Sequence, residues 1–323
     1  MNKMKFQELK NKKVVVTGGA GFIGSNITRK LLELGAKVTV IDNLSTGRIS
    51  NLKDILPKIR FVKKSVTDLN VLKTEFKNAY CIFHQAAIPS VQRSVEAPIE
   101  TNNSNINGTL CVLMAAKDVG ARRVVYAASS SSYGNQPKLP KVESMMMDPM
   151  SPYAIQKLTG EYYCKVFYEI FGVETIALKY FNVFGPHQDP NSMYSAVIPL
   201  FAKCVLKNKQ PIIFGDGLQS RDFSHVDNII EANLLAATTR NKNAFGKTVN
   251  IACGERINLI QMLKLINKLE GKNIKPKFEE DRKGDVKHSL ADISLAKKLI
   301  GYKPVVNFEQ GIRKTIEWYK NSN

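Results

Sequence analysis

The chain has 323 residues, of which 44% are hydrophobic and 23% charged, a composition typical of a folded protein and not of a disordered one. The length suggests about two domains of roughly 150 residues, enough to bury a core without disulfides or a structural metal. Forty-seven Lys and Arg against 28 Asp and Glu give a net charge of +19, which first suggests a nucleic-acid or anionic-membrane partner. The first 64 residues hold +10 of this excess but contain no basic arm, so we interpret it as solvated surface and predict no nucleic-acid partner.

Other sequence features indicate a reducing compartment and no membrane partner. The first 13 residues lack an apolar stretch, so we expect no signal peptide, and no apolar segment reaches the ~18 residues of a membrane span. The five cysteines are dispersed and form no CxxC pair, which is typical of a cytoplasmic protein. The four histidines lack the spacing of metal ligands, so we predict no metal site.

The first 130 residues alternate short β-branched runs with helical patterns. The predicted strands are residues 13–17, 37–41, 59–62, 81–84 and 123–127. Helices are predicted between most of them, with residues 22–34 and 105–119 the clearest. Repeated strand–helix–strand units predict an α/β fold, a Rossmann-like doubly wound parallel sheet covered on both faces.

The pattern becomes irregular after about residue 180. Prolines and glycines cluster in residues 185–217, and helical patterns return at 226–238, 258–270 and 292–300. We therefore predict an NAD-binding domain over residues 1–182 with a returning segment near 223–251. Residues 183–323 would form most of a smaller α/β substrate lobe, with the ligand cleft between the lobes.

A glycine-rich turn directly follows the first predicted strand and opens a helix. Gly18, Gly21 and Gly24 have GxxGxxG spacing, which suits a tight turn, close approach of a pyrophosphate and close helix–strand packing. The helix N-terminus would supply N–H donors to the phosphates. Because the motif has a strand before it and a helix after it, we predict that it binds a dinucleotide.

Acidic and small residues end the next predicted strands. Asp42 follows Gly24 by 18 residues, where a carboxylate binds a ribose 2′-hydroxyl and repels a 2′-phosphate, so NAD is favoured over NADP, with Arg48 as a contrary signal. Asp68 either faces the adenine or caps a helix. Ala86 lies after the fourth strand, where a small residue lets backbone approach the cofactor.

A tyrosine and a lysine lie four residues apart at a predicted helix start. Ser151 and Pro152 suit the N-cap and N1 positions, which places Tyr153 and Lys157 on one helix face. A free tyrosine has a pKa near ~10, and a nearby ammonium favours the phenolate, so the pair predicts a general base. The serine-rich segment 127–134, after the fifth strand, offers a hydroxyl to bridge tyrosine and substrate.

These motifs together resemble the extended short-chain dehydrogenase/reductases, and within them the nucleotide-sugar 4-epimerases. The similarity runs nearly end to end and includes residues 17–24, 42–47, 105–109, 153–157, 180–185, 221–227 and 282–285. The details are most similar to UDP-N-acetylglucosamine 4-epimerases. The family also implies a homodimer formed through the helices near 103–119 and 152–171.

The resemblance assigns roles to individual residues. It implies Tyr153, Lys157 and Ser129 as the catalytic residues. For NAD it implies Gly18, Gly21, Phe22, Ile23, Gly24, Asp42, Asn43, Asp68, Ala86, Asn105 and Lys157. For the UDP-sugar it implies Ser129, Ser130, Tyr153, Asn182, Ala196, Val197, Phe214, Arg221, Arg282, Asp285 and Ser289. Phe214 would contact uracil, and the two arginines would bind the diphosphate, which guanidinium groups do bidentately.

Departures from neighbouring families narrow the prediction. The 4,6-dehydratases carry an Asp-Glu pair after the catalytic hydroxyl and the UDP-glucuronate decarboxylases a glutamate, whereas this chain has Ser130 and Ser131. Ser289 occupies a position that is bulky in epimerases restricted to UDP-glucose and UDP-galactose, so it leaves room for an N-acetyl group at C2. Pro89 lies in a substrate-facing loop where relatives vary, and its role stays open.

The sequence therefore predicts NAD-dependent 4-epimerisation of UDP-GlcNAc and UDP-GalNAc, with UDP-Glc and UDP-Gal as further substrates. The alternatives are another NAD-dependent nucleotide-sugar enzyme, such as a dehydratase, dehydrogenase or UDP-glucuronate-type epimerase or decarboxylase. Outside enzymes, an NAD-sensing protein would be expected to lack the Tyr153 and Lys157 pair, and a nucleic-acid binder would need a readout motif.

Overall fold

The structure is a computed structural model that describes residues 3–189, 197–280 and 287–321. Its strands are β1 (Lys13–Thr17), β2 (Lys37–Ile41), β3 (Arg60–Val62), β4 (Cys81–His84), β5 (Arg123–Ser129), β6 (Glu174–Tyr180), β7 (Val183–Phe184), β8 (Ile212–Phe214), β9 (Ser220–Arg221), β10 (Ser224–His225), β11 (Lys247–Ile251), β12 (Ile257–Asn258) and β13 (Lys277–Glu279). Its α-helices are α1 (Phe22–Glu33), α2 (Leu69–Phe76), α3 (Val91–Glu96), α4 (Pro98–Asn102), α5 (Gly108–Asp118), α6 (Pro152–Phe171), α7 (Val197–Leu206), α8 (Val226–Thr238), α9 (Leu259–Glu270), α10 (Ser294–Ile300) and α11 (Phe308–Asn321).

The centre of the molecule is a parallel sheet of seven strands in the order β11-β6-β5-β4-β1-β2-β3. This sheet confirms the predicted Rossmann-like α/β class. The predicted bounds of β1, β2 and β4 match the structure, whereas β5 runs two residues further, to Ser129. The sheet is completed by β6 and by β11, which pairs in parallel with β6 although it comes much later in the chain.

Two apolar layers cover the sheet because successive strand residues point to opposite faces. Val14 and Val16 of β1 belong to a core cluster with residues of α1, α8 and α10. Val15 between them belongs to a second cluster with residues of α2, α5 and α6. The continuous apolar runs of these strands follow from burial on both faces.

A smaller group of elements packs beside the carboxyl ends of the strands. Helices α7, α9 and α11 share a core that includes Phe201, Met262 and Ile316. Short strands join this group, with β8 pairing β13 in parallel and β9 pairing β12 antiparallel. The division of the chain into two domains stays a prediction.

The predicted helix 105–119 differs from the structure at its start. Residues Asn103–Asn107 form a π-helical turn, and α5 begins only at Gly108. The Asn105 side chain bonds across to Ile88 and Gln156 instead of facing solvent. Tertiary hydrogen bonds of this kind favour a local bulge, and such bulges are frequent at functional sites.

Candidate active site

A cavity of about 1530 Å³ lies at the carboxyl ends of the sheet strands, between the sheet and the smaller group of elements. This is where open α/β sheets bind ligands. Its wall includes the ends of β1, β2 and β5, the start of α6 and the C-terminal helix α11. Most of the residues predicted for the cofactor and the substrate meet at this wall.

The glycine turn after β1 accepts no side chain at its critical positions. Gly18 has φ +68°, and a Cβ there would lie 2.6 Å from the backbone of Ala86. A Cβ on Gly24 would lie 2.2 Å from the carbonyl oxygen of Gly18. The turn therefore brings bare backbone and the N-terminus of α1 to the cavity, an arrangement that fits a dinucleotide pyrophosphate. Of the predicted cofactor residues in this segment, the cavity wall includes Gly18, Gly21, Phe22, Ile23 and Gly24.

Asp42 is fixed at the end of β2. Its carboxylate accepts hydrogen bonds from the backbone N–H groups of Ala20 (2.9 Å) and Leu44 (2.8 Å). Burial raises the pKa of Asp42 above its usual value, while these two bonds oppose the rise. Asp42 and Asn43 line the cavity beside the glycine turn, so their polar atoms suit the ribose hydroxyls of NAD.

His84 at the end of β4 is a structural residue. Its ring nitrogens contact the hydroxyls of Thr17 (2.7 Å) and Thr109 (3.0 Å). Burial lowers the pKa of His84 to about 3, so the ring stays neutral at physiological pH. The neighbouring Ala86 lines the cavity where the predicted cofactor contact requires a small residue.

The predicted catalytic pair lies in the first turns of α6. The Ser151 hydroxyl accepts a hydrogen bond from the Ala154 N–H, which caps the helix as predicted. The Lys157 ammonium donates to the carbonyl oxygen of Ala127 at the end of β5 (2.8 Å). Burial lowers the pKa of Lys157 to about 8. Tyr153 and Lys157 both line the cavity.

Burial, however, raises the pKa of Tyr153 above its ordinary value, and the hydrogen bond with Ser129 opposes this rise. The sequence predicted a reduction, because an ammonium favours the phenolate. In the structure, burial is the larger influence on the pKa of Tyr153, so the expected reduction is not observed. Any further positive charge in the cavity would favour the phenolate.

Hydroxyl groups lie near Tyr153, the predicted catalytic tyrosine, on the β5 side. The Ser131 hydroxyl donates to the Ser129 hydroxyl (2.9 Å), and Ser129 begins the 3-10 turn Ser130–Tyr133. Ser129, Ser130 and Ser131 all line the cavity. Ser130 and Ser131, at the positions where the sequence comparison with eliminating enzymes expects acids, therefore present hydroxyls to the cavity.

Three predicted substrate residues reach the same wall from distant segments: Asn182, Arg221 and Ser289. The Asn182 side chain donates to the carbonyl oxygen of Asp222 (3.1 Å). The Ser289 N–H donates to the carbonyl oxygen of Ser220 (3.0 Å), which ties the segment around Ser289 to the strand of Arg221. The small Ser289 and the guanidinium of Arg221 are therefore held close together on the cavity wall.

Other predicted contacts are not among the described residues that line the cavity: Asp68, Asn105, Val197 and Phe214. Asp68 is the N-cap of α2 and accepts a hydrogen bond from the Val71 N–H (3.2 Å), the alternative left open by the sequence. Asn105 bonds the backbone of Ile88 and so orders the loop at the cavity edge. Phe214 ends β8. Ala196, Arg282 and Asp285 lie outside the described residues.

Sequence reasoning missed part of the wall. The C-terminal helix contributes Trp318, the only tryptophan of the chain, and Tyr319, whose hydroxyl donates to the carbonyl oxygen of Gln188 (2.8 Å). Arg48 forms an ion pair with Asp189 across the same region. Trp318 and Tyr319 lie far in the chain from Arg48 and Asp189, and no motif links the two pairs.

Among the described residues, no helix combines the length and the apolar composition that a membrane span requires. In the same residues, no group of three or more His, Cys, Asp and Glu side chains has the arrangement of a metal site.

Comparisons with known proteins agree with this geometry. A family model described as the NAD dependent epimerase/dehydratase family matches residues 14–252. A UDP-glucose 4-epimerase of Mycolicibacterium smegmatis is 34% identical over 316 residues, which cover 96% of this chain and 99% of the relative.

Solved structures are similar over the same length. A UDP-N-acetylglucosamine 4-epimerase from Methanobrevibacter ruminantium M1, in complex with UDP-N-acetylmuramic acid, has a TM-score of 0.92 at 40% identity, covering 97% of this chain and 100% of its own. A UDP-glucuronic acid 4-epimerase from Bacillus cereus, in complex with UDP-glucuronic acid and NAD, has a TM-score of 0.87 at 30% identity, covering 96% and 100%. The chain is thus similar to 4-epimerases of several UDP-sugars.

Proposed function

Because this chain belongs to the NAD dependent epimerase/dehydratase family, we propose that it interconverts UDP-GlcNAc and UDP-GalNAc by inversion at C4. NAD is its cofactor, and several of its relatives are 4-epimerases of UDP-sugars, whereas others are decarboxylases. The inverted carbon and the N-acetylated substrate are the proposal. UDP-Glc and UDP-Gal are smaller at C2, so the same site would admit them.

The observation that carries the proposal is the set of groups around Tyr153. Its hydroxyl bonds Ser129, and Ser130 and Ser131 follow where eliminating enzymes have acids. The carboxylates that line the cavity within the described residues are Asp42 and Asp189. Asp42 lies beside the glycine turn and Asp189 is paired with Arg48, so neither is a candidate acid at the sugar. A site with one base and no acid suits epimerisation, because the base can return the proton that it took.

The chain's own groups have distinct tasks in this reaction. Bound NAD supplies the hydride acceptor and donor for C4. Tyr153 removes the C4 hydroxyl proton, directly or through Ser129, and later returns it. The positive charge of Lys157 favours the phenolate. Arg221 holds the diphosphate, so the binding energy lies away from C4 and leaves the sugar ring free to turn over.

The C2 substituent is the least constrained part of the proposal. Ser289 lines the cavity and is held by a backbone hydrogen bond to Ser220, so its short side chain leaves space at a fixed position. That space fits an N-acetyl group. A UDP-glucuronate substrate is the second candidate, since relatives with that activity match nearly the whole chain.

The test is to incubate the purified protein, without added NAD, with UDP-GlcNAc, UDP-GalNAc, UDP-Glc, UDP-Gal and UDP-glucuronate, and to separate the products. We expect interconversion of the N-acetylated pair without net formation of NADH. A Tyr153→Phe sample, prepared in the same way, controls for a contaminating epimerase. A 4-keto-6-deoxy product, release of CO2 or accumulation of NADH would contradict the proposal.

We further propose that the protein is a homodimer formed through the helices near 103–119 and 152–171. Large apolar side chains of the second of these helices are exposed, with Ile155 51%, Tyr162 58% and Ile170 69% exposed. Apolar surface of this kind marks interaction sites. Light scattering should give twice the monomer mass, and Ile170→Lys should reduce it. A monomeric wild-type protein would contradict this.

A further inference from the structure

A row of buried charges lies behind the catalytic pair. Tyr153, Lys157 and Glu161 occupy successive i+4 positions of α6 and so share one helix face. The Glu161 carboxylate is 7% exposed and forms an ion pair with Lys179 of β6, which is buried too (Nζ to Oε2, 3.2 Å). The protein therefore places a carboxylate one helical turn from its catalytic lysine.

Lys157 itself is surrounded by neutral groups at close range. Its ammonium donates to the Ala127 carbonyl oxygen and lies 5.1 Å from the centre of the Tyr126 ring. Among the described ion pairs, none includes Lys157, although its side chain is buried. An ammonium in such surroundings loses its proton readily unless a nearby negative charge stabilises it.

We propose that Glu161 is a positioning residue that keeps Lys157 in its charged form, which the reaction proposed above requires. Burial raises the pKa of Glu161, and Lys179 of β6 and Thr248 of β11 oppose this rise in favour of the charged form. One oxygen of the Glu161 carboxylate, Oε1, is buried and has no hydrogen-bond partner in the described chain. Lys179 is in turn stabilised by a second acid, Glu143, so positive and negative charges alternate from Lys157 to Glu143.

The other titratable groups around Lys157 do not supply this negative charge. On β4, His84 is neutral because burial lowers its pKa to about 3. On β5, burial raises the pKa of Tyr126 well above its ordinary value, and on α6 burial likewise raises the pKa of Cys164, so both stay protonated. Burial also lowers the pKa of Lys157 to about 8, and Glu161 is the first group that opposes this fall.

If the ion pair of Glu161 and Lys179 only stabilised the fold, its removal would leave the pH dependence of activity unchanged. Replacing both members of a buried ion pair by uncharged residues is often neutral for stability. The double variant Glu161→Gln with Lys179→Met would then fold and keep the wild-type pH profile. If Glu161 acts through Lys157, the same variant folds but loses activity on the alkaline side, where Lys157 loses its proton earlier.

The experiment compares pH profiles of kcat for the wild type and this double variant. If the pKa of Lys157 falls by about one unit, activity drops about fivefold at pH 8 and less than about twofold at pH 6.5. KM should not change. Glu143→Gln is the matched control, since it removes a half-buried acid of the same cluster that acts on Lys179. Its pH profile should stay that of the wild type.

A direct titration makes the result independent of turnover. NMR of protein with 13C-labelled lysine side chains, with the Lys157 signal assigned by its loss in Lys157→Met, follows the proton on Lys157 without substrate. We expect the midpoint to move to lower pH in the double variant, or in Glu161→Gln alone if the double variant does not fold. An unchanged midpoint would overturn the role of Glu161. Absence of epimerisation with a shifted midpoint would count only against the proposed function.

Discussion

The ends of the cavity that we propose for the cofactor and for the sugar are built by different means. At the cofactor end, the backbone shapes the cavity wall. Gly18 and Gly24 leave no space for a Cβ, and the Asp42 carboxylate is held by two backbone N–H groups. At the sugar end, side chains from Ser129 to Ser289 converge from several segments. Backbone geometry tolerates little change, whereas side chains are easily exchanged. The difference explains how related enzymes share NAD yet differ in their sugars.

The largest effect is expected from a substitution of Tyr153. Tyr153→Phe removes the hydroxyl that bonds Ser129 and should lower kcat by about a thousandfold or more, as expected for loss of a general base. The ring still fills its site, so the fold and NAD content should not change. Circular dichroism and cofactor extraction check these two points. Turnover near that of the wild type would exclude Tyr153 as the base.

Adding a single Cβ to the glycine turn should weaken the binding of NAD. Gly18→Ala forces a methyl group against the Ala86 backbone. Overpacking of this kind costs about 3 kcal/mol. Because the strain distorts the turn that binds NAD, we expect the affinity for NAD to fall by about a hundredfold. Gly172→Ala is the matched control, because Gly172 has nearly the same φ (+70°) but nothing within 4 Å. The control should lose only about 1 kcal/mol of unfolding free energy. Equal NAD affinity in both variants would refute the backbone argument.

The sugar end should change its selectivity without losing its chemistry. Ser289→Tyr fills the space proposed for the N-acetyl group, so turnover of UDP-GlcNAc should fall by about tenfold to a hundredfold. Turnover of UDP-Glc by the same preparation is the internal control and should be nearly unchanged. A parallel loss for both sugars would mean that Ser289 supports the fold and does not select the substrate.

A smaller effect concerns stability at the border between sheet and cavity. The pKa of His84 is about 3 in the folded protein and near 6.5 when unfolded, so the unfolded chain binds more protons between these values. The free energy of unfolding therefore falls as the pH drops below about 6.5, by about 2 kcal/mol between pH 7 and pH 5 from this residue. Denaturant melts of wild type and His84→Gln should differ by this amount in their pH dependence. Identical pH dependence would show that His84 titrates normally.

The contrast between local motifs and contacts from distant segments also explains which features could be predicted from the sequence. The glycine turn, Asp42 and the Tyr153–Lys157 spacing are local patterns, so the fold class and the cofactor end were predictable. Trp318 and Tyr319 were not, because they reach the cavity through packing of α11 against residues more than a hundred positions earlier. Asp68 shows the limit of a residue type alone, since the same carboxylate suits an adenine or a helix cap.

The position of β11 limits how the protein can be divided. Because this strand borders β6 and comes from residues 247–251, a fragment that ends at residue 182 would expose the edge of β6. It would also leave the buried guanidinium of Arg123 without its acceptors on Ala236 and Ala237 of α8. Unpaired strand edges invite aggregation. A fragment of residues 1–182 would therefore lack the edge strand of its sheet, because the chain supplies that strand only at residues 247–251.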